Sequence, residues 1–201
     1  MKNEGKLLPF GFNDLFPEDA PAVWIDKVGN GFQRGARQVG VTGGAAFGTG
    51  SFGSRSARDF IWSTAHSGQI FTDLIGSEDN WYRGNWSFFS ELSAGIQFHP
   101  DSSKSIVGFT PGFRYYFATG RAVVPFFDVG GGVAITDIRE PELGSAFQFN
   151  LQGGTGVQWF LTEGWAATLQ FRYFHLSNAK ISLPNSGLDQ FSGMIGVTRF
   201  Y

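Results

Sequence analysis

The chain has 201 residues, room for one sizeable domain, with a formal net charge of −2 and no cysteine. That balance excludes a strongly basic nucleic-acid binder, and the missing thiols exclude disulfides, cysteine catalysis and thiolate metal sites. Aromatics reach 17% and charged residues only 16%, against roughly 25% charged in ordinary soluble domains, yet no apolar run approaches the roughly 20 residues of a membrane helix.

Residues 1–35 carry no sustained pattern. The opening "MKNEGKLLPFGFNDLF" lacks the uninterrupted apolar segment of a secretory signal, so Met1 is expected to open a form from which an export signal has been removed. "FPEDAPAVWIDKVGNG" mixes Pro, Gly and charge, and reads as an extension ahead of the folded body. From about residue 36 the period becomes two, the mark of strands whose faces meet different surroundings.

Eight strands are predicted, at about 36–48, 57–75, 84–98, 104–118, 122–136, 145–161, 164–178 and 188–201. In 86–98, Trp86, Phe88, Leu92, Ala94, Ile96 and Phe98 oppose Ser87, Glu91, Ser93 and Gln97. In 145–161, Phe147, Phe149, Leu151, Val157, Trp159 and Leu161 oppose Gln148, Asn150, Gln152 and Gln158. The apolar face is crowded and the polar face sparse but charged, which is the distribution of a barrel whose outside meets lipid. Glu91, Arg114, Asp128 and Arg172 then meet inside, where a small barrel has just enough room for side chains to form a polar network rather than a pore.

Residues 36–201 are therefore expected to form an all-β, eight-stranded antiparallel transmembrane barrel after the 1–35 extension. The short connections "TGR" (119–121) and "TEG" (162–164) suit periplasmic turns, and "GSEDNWYRG" is a longer one. The gaps at 49–56, 99–103, 137–144 and 179–187 become external loops. "DVGGGVAI" is no phosphate loop, since it has no lysine and no following helix. His66 and His99 read as interior or interfacial polar residues, without carboxylates at metal spacing.

The seventh strand ends "FRYFHLSN". Its lipid-facing set Trp165, Ala167, Leu169, Phe171 and Tyr173 continues by twos to His175 and Ser177. On the eighth strand, the outward parity of Phe191, Ile195 and Val197 takes in Asp189. Three groups able to run acyl transfer thus share one wall near the external rim, where polar groups are costly unless paired or in use. In that chemistry Ser177 is the nucleophile, His175 the base, and Asp189 the group that orients and stabilises the imidazole. The side chain of Asn178 and the backbone N–H groups of Ala179 and Lys180 are the nearest donors for an oxyanion. "LPNSG" (183–187) is a turn that can return Asp189 to His175. The rival reading of the same residues is a plain interfacial rim at a strand end.

The stretch "FHLSNAKISLPNSGLD" resembles the lipid A 3-O-deacylases, the PagL family of outer-membrane β-barrel esterases. The resemblance rests on His175, Ser177, Asn178, Ala179, Pro184, Asn185, Gly187 and Asp189 at the family's spacing. It implies hydrolysis of the ester-linked acyl chain at position 3 of lipid A in the outer membrane. It also implies no cofactor, with Ser177, His175 and the acidic position as the triad; no metal ligand set is assigned. Asn178, Ala179, Lys180 and Asn185 are expected to position the substrate or its oxyanion, and Lys180 to meet an anionic lipid phosphate. The partners expected are lipid A or lipopolysaccharide and outer-membrane lipid. One departure stands out: the family's acid is typically Glu, and Asp189 is a methylene shorter. Two other classes stay open, a structural or adhesive small barrel and a soluble lipid carrier with an apolar interior.

Overall fold

The computed structural model describes residues 22–50, 57–100, 104–139 and 141–201. Eight strands follow in order: β1 Arg37–Thr49, β2 Asp59–Ile70, β3 Gly84–His99, β4 Ser105–Phe117, β5 Val123–Thr136, β6 Phe147–Phe160, β7 Trp165–Ser177 and β8 Leu188–Phe200. Each pairs antiparallel with the next and β8 pairs with β1, so the sheet closes and leaves no edge. A strand of 13 residues extends about 43 Å, and tilted by about 40° it covers roughly 33 Å along the axis, enough to cross a bilayer core.

The predicted strand at 57–75 is corrected: β2 stops at Ile70, and beyond it only an isolated bridge joins Ile75 to Gly84. Beyond Ile70 the contact with β3 becomes irregular, with Phe71 N donating to the Trp86 carbonyl. The Asn85 amide donates to the carbonyls of Thr72 and Phe32, and the N–H of Trp86 donates to the Thr72 hydroxyl. A chain segment from outside the barrel, through Phe32, thus shares the Asn85 amide with Thr72.

That segment is the described part of the expected extension. Trp24 bridges Phe32, and Phe32 stacks on Trp24 and Phe200 at 4.4 and 5.0 Å and meets the edge of Tyr116 at 5.0 Å. The backbone N–H of Phe32 donates to Asn85 Oδ1 at 2.9 Å, and the Trp24 indole donates to the Glu163 carbonyl at 2.8 Å. Gly29 turns with φ +81°, pressed so closely on the Arg121 backbone that no Cβ would fit. Residues 22–36 therefore fold under the short-turn end and fill it with Val124, Phe126 and Phe160.

Above this aromatic layer lies a buried charged one. Arg114 donates to Asp128 at 2.7 and 3.0 Å, Arg172 to Glu91 at 2.6 Å, and Gln170 to Asp128 at 2.8 Å. Arg114 also stacks over Phe126, its guanidinium 4.3 Å from the ring centre. His66 is buried among the luminal residues of β2, whereas His99 sits exposed at the end of β3 with Asp59 at 3.7 Å. The loop end is closed by Phe60, Trp62, Ile106, Ile138, Leu143, Phe174, Leu176 and Leu188. Outside, Leu92, Ile96, Val107, Ile135, Leu151, Phe171 and Ile195 stand exposed, an apolar belt of the kind lipid covers.

Candidate active site

Antiparallel pairing of β7 with β8 sets His175 directly opposite Asp189, one step beyond the pair Tyr173 and Phe191. Side chains opposite each other on one face stand about 5 Å apart at Cβ, so even the shorter Asp reaches. His175 Nδ1 lies 2.6 Å from Asp189 Oδ1. The carboxylate only accepts, which assigns the proton to Nδ1, so that in the neutral imidazole Nε2 is the acceptor. The Asp189 side chain is wholly covered while the imidazole is 25% exposed. Both stand on the outer parity of their strands, away from the luminal charges.

Ser177 follows His175 by two residues on the same wall and is half-buried. Among the described residues no hydrogen bond joins its hydroxyl to the imidazole; such contacts commonly tighten only around substrate. His175, Ser177 and Ala179 line one end of an open groove of about 510 Å³, whose floor and far wall come from Gly131, Phe149 and Leu151. Below it a second open groove of about 390 Å³ shares Gly131 and Leu151 and runs on to Phe88 and Phe113. The outward glycine makes this channel: a Cβ at Gly131 would meet nothing closer than Leu151 Cδ2 at 3.3 Å.

The loop after Ser177 is held by polar side chains. Asn178 O accepts from Ile181 N at 3.0 Å, closing a turn whose central residues Ala179 and Lys180 have φ of +52° and +65°. Two successive left-handed residues that are not glycine are a strained choice. In this turn no described residue accepts from the N–H groups of Ala179 and Lys180. The Asn178 amide corrects an expectation. Its parity is inward, it is buried, and its Nδ2 donates to the Ser182 carbonyl at 2.9 Å and Ser145 Oγ at 3.2 Å. Asn185 Oδ1 accepts from Asn178 N at 2.9 Å, so this side chain too acts on the loop. Residues 142–144 brace it: Leu143 bridges Asn185, Ser182 donates to the Gly144 carbonyl, and Arg58 pairs with buried Glu142 at 3.1 Å.

Sequence reasoning missed Tyr173. Counted among the aromatics of the lipid face, it points its hydroxyl at Asp189 Oδ1, 2.5 Å away, while its ring rests on Phe191 at 5.2 Å. The available signal was its position, two residues before His175 and on the same wall.

The family model for lipid A 3-O-deacylase (PagL) matches residues 44–198, most of the chain and all of β2 to β7. The chain belongs to the PagL family. Lipid A deacylase PagL of Pseudomonas aeruginosa is 32% identical over 94 residues, 45% of this chain and 51% of that protein, so the match spans about half the relative's length. Among solved structures, the outer membrane enzyme PagL aligns at a TM-score of 0.56 and 21% identity, over 79% of this chain and 97% of that one. Neisserial surface protein A aligns at 0.62 and 16%, over 82% and 98%. At these identities the structural likeness speaks to the fold alone, the eight-stranded barrel of outer-membrane proteins.

Proposed function

We propose that this PagL-family barrel is an outer-membrane esterase that removes the 3-O-linked acyl chain of lipid A. The observation that carries the reading is the His175–Asp189 pair at 2.6 Å, set on the lipid-facing wall beside Ser177. A buried carboxylate on an apolar exterior is costly without a task.

In the reaction, His175 Nε2 takes the proton of Ser177 as Oγ attacks the ester carbonyl. The developing oxyanion is met by the backbone N–H groups of Ala179 and Lys180. Asp189 stabilises the imidazolium, which then protonates the departing sugar oxygen as the carbon–oxygen bond breaks. Water, deprotonated by the same imidazole, attacks the acyl-serine and releases a free hydroxy fatty acid with Ser177 restored. The grooves of about 510 and 390 Å³ would receive the acyl chain along the outer wall, where it already lies among lipids. Lys180, exposed beside the site, suits an anionic lipid phosphate. No cofactor enters this scheme.

Mass spectrometry of lipid A incubated with wild type and Ser177→Ala tests it. Loss of one hydroxyacyl group with wild type alone is expected; identical spectra would sink the proposal. The alternative, a structural or adhesive barrel, draws on the missing hydrogen bond between Ser177 and His175 and on the likeness to Neisserial surface protein A. It predicts those identical spectra.

A further inference from the structure

We propose that Tyr173 is a positioning residue, whose hydroxyl fixes the Asp189 carboxylate so that one chosen oxygen faces His175. The inference rests on the esterase reading above and adds a member to its machinery. Along the outer wall of β7, Trp165, Ala167, Leu169 and Phe171 carry no group that needs a hydrogen-bond partner except the edge of the indole. Tyr173 is the first hydroxyl on that wall, and it comes one step before His175. A phenol O–H facing hydrocarbon needs an acceptor, and Asp189 Oδ1 provides it at 2.5 Å.

Asp189 Oδ1 thus accepts from two neighbours, the imidazole at 2.6 Å and the phenol at 2.5 Å. Its Oδ2 is buried with no hydrogen-bond partner among the described residues. With the imidazole as its lone partner, an aspartate carboxylate could swing about its terminal torsion, which is broad. The second donor removes that freedom through a charge-assisted bond. The Tyr173 ring is itself held against Phe191 at 5.2 Å, so the donor arrives from a braced side chain. The chain of support runs from Phe191 to Tyr173 to Asp189 to His175, and every member lies on β7 or β8.

Kinetics with lipid A in mixed detergent micelles test this in wild type, Tyr173→Phe, Asp189→Asn and the double variant. Tyr173→Phe keeps the ring on Phe191 and deletes one hydroxyl. It should lower kcat about tenfold, as loss of a hydrogen bond to a charged group does, and leave KM within about twofold. Because Tyr173 acts through Asp189, the double variant should be no slower than Asp189→Asn. In proton spectra, Tyr173→Phe should move the downfield resonance of the His175 Nδ1–H, a readout that ring packing alone would not shift. An unchanged kcat, an unmoved resonance, or a double variant slower than Asp189→Asn by the full Tyr173→Phe factor overturns the proposal. A wild type that releases no acyl group overturns the esterase reading instead, and is told apart by that outcome.

Discussion

His175 is held by Asp189 and stands where Gly187 leaves room for its ring. Gly187 has φ +77°, and a Cβ there would stand 3.0 Å from His175 Cε1 and 3.2 Å from the Leu176 carbonyl. Gly187→Ala should therefore cost about 1 kcal/mol or more in stability and lower kcat by tilting the ring, measurable by urea unfolding and by acyl release. Asp189→Asn should cost more, at least about a hundredfold in kcat, because an amide can hold the imidazole in the wrong tautomer; acyl-release kinetics again give the measure. Parity alone brought His175, Ser177 and Asp189 to one wall, since a period of two assigns faces without knowledge of packing. It could not give Tyr173 its role, because a hydroxyl leaves no mark in an apolar pattern. The same parity points Asn178 inward, and its amide ties the loop at Ser182 and Ser145 rather than facing substrate.

Strands and loops divide the work. The bounds of β1 and β3 to β8 follow from alternation to within two residues, because lipid outside and polar groups inside both enforce it. β2 departs since Thr72 meets β3 through side-chain bonds with Asn85 and Trp86, and Ile75 meets Gly84 by an isolated bridge, an irregularity that alternation does not register. The glycines of "DVGGGVAI" are not equivalent. A Cβ at Gly132 would collide with the Phe109 backbone, whereas one at Gly131 meets only the tip of the Leu151 side chain, at 3.3 Å, which must give by a few tenths of an ångström. Backbone packing therefore requires Gly132, whereas Gly131 is bounded by a movable side-chain tip, and the bare position keeps the outer groove open. Gly131→Leu should insert without loss of folding and block the groove. Hydrolysis of a series of acyl esters should then fall with a loss that grows with chain length, and a uniform effect across the series would remove the groove from the mechanism.

The molecule as a whole separates chemistry from cohesion. Catalytic candidates stand on the outer wall, while the lumen holds Arg114, Asp128, Arg172 and Glu91 in contacts of 2.6 to 3.5 Å. Asp128 is buried between two arginines, and Asp128→Ala would leave both without their shared counter-charge. A loss of about 3–5 kcal/mol is expected, read from urea unfolding in lipid vesicles, with the His175–Asp189 geometry untouched in the molecules that remain folded. The four charges were legible in sequence as inward positions, and Arg114 and Asp128 face each other in register on β4 and β5. The pairing of Arg172 with Glu91 was not legible, because they lie on β7 and β3, across the lumen. The capping of the turn end was hidden for the same reason. Phe32 rests on Phe200 at the closing strand, on Tyr116 of β4 and on Asn85 of β3. A dock assembled from strands so far apart along the chain exists only after the first and last strands have met. Residues 22–36 are therefore expected to seat last, and resistance of this stretch to protease should arise together with the completed ring, never ahead of it.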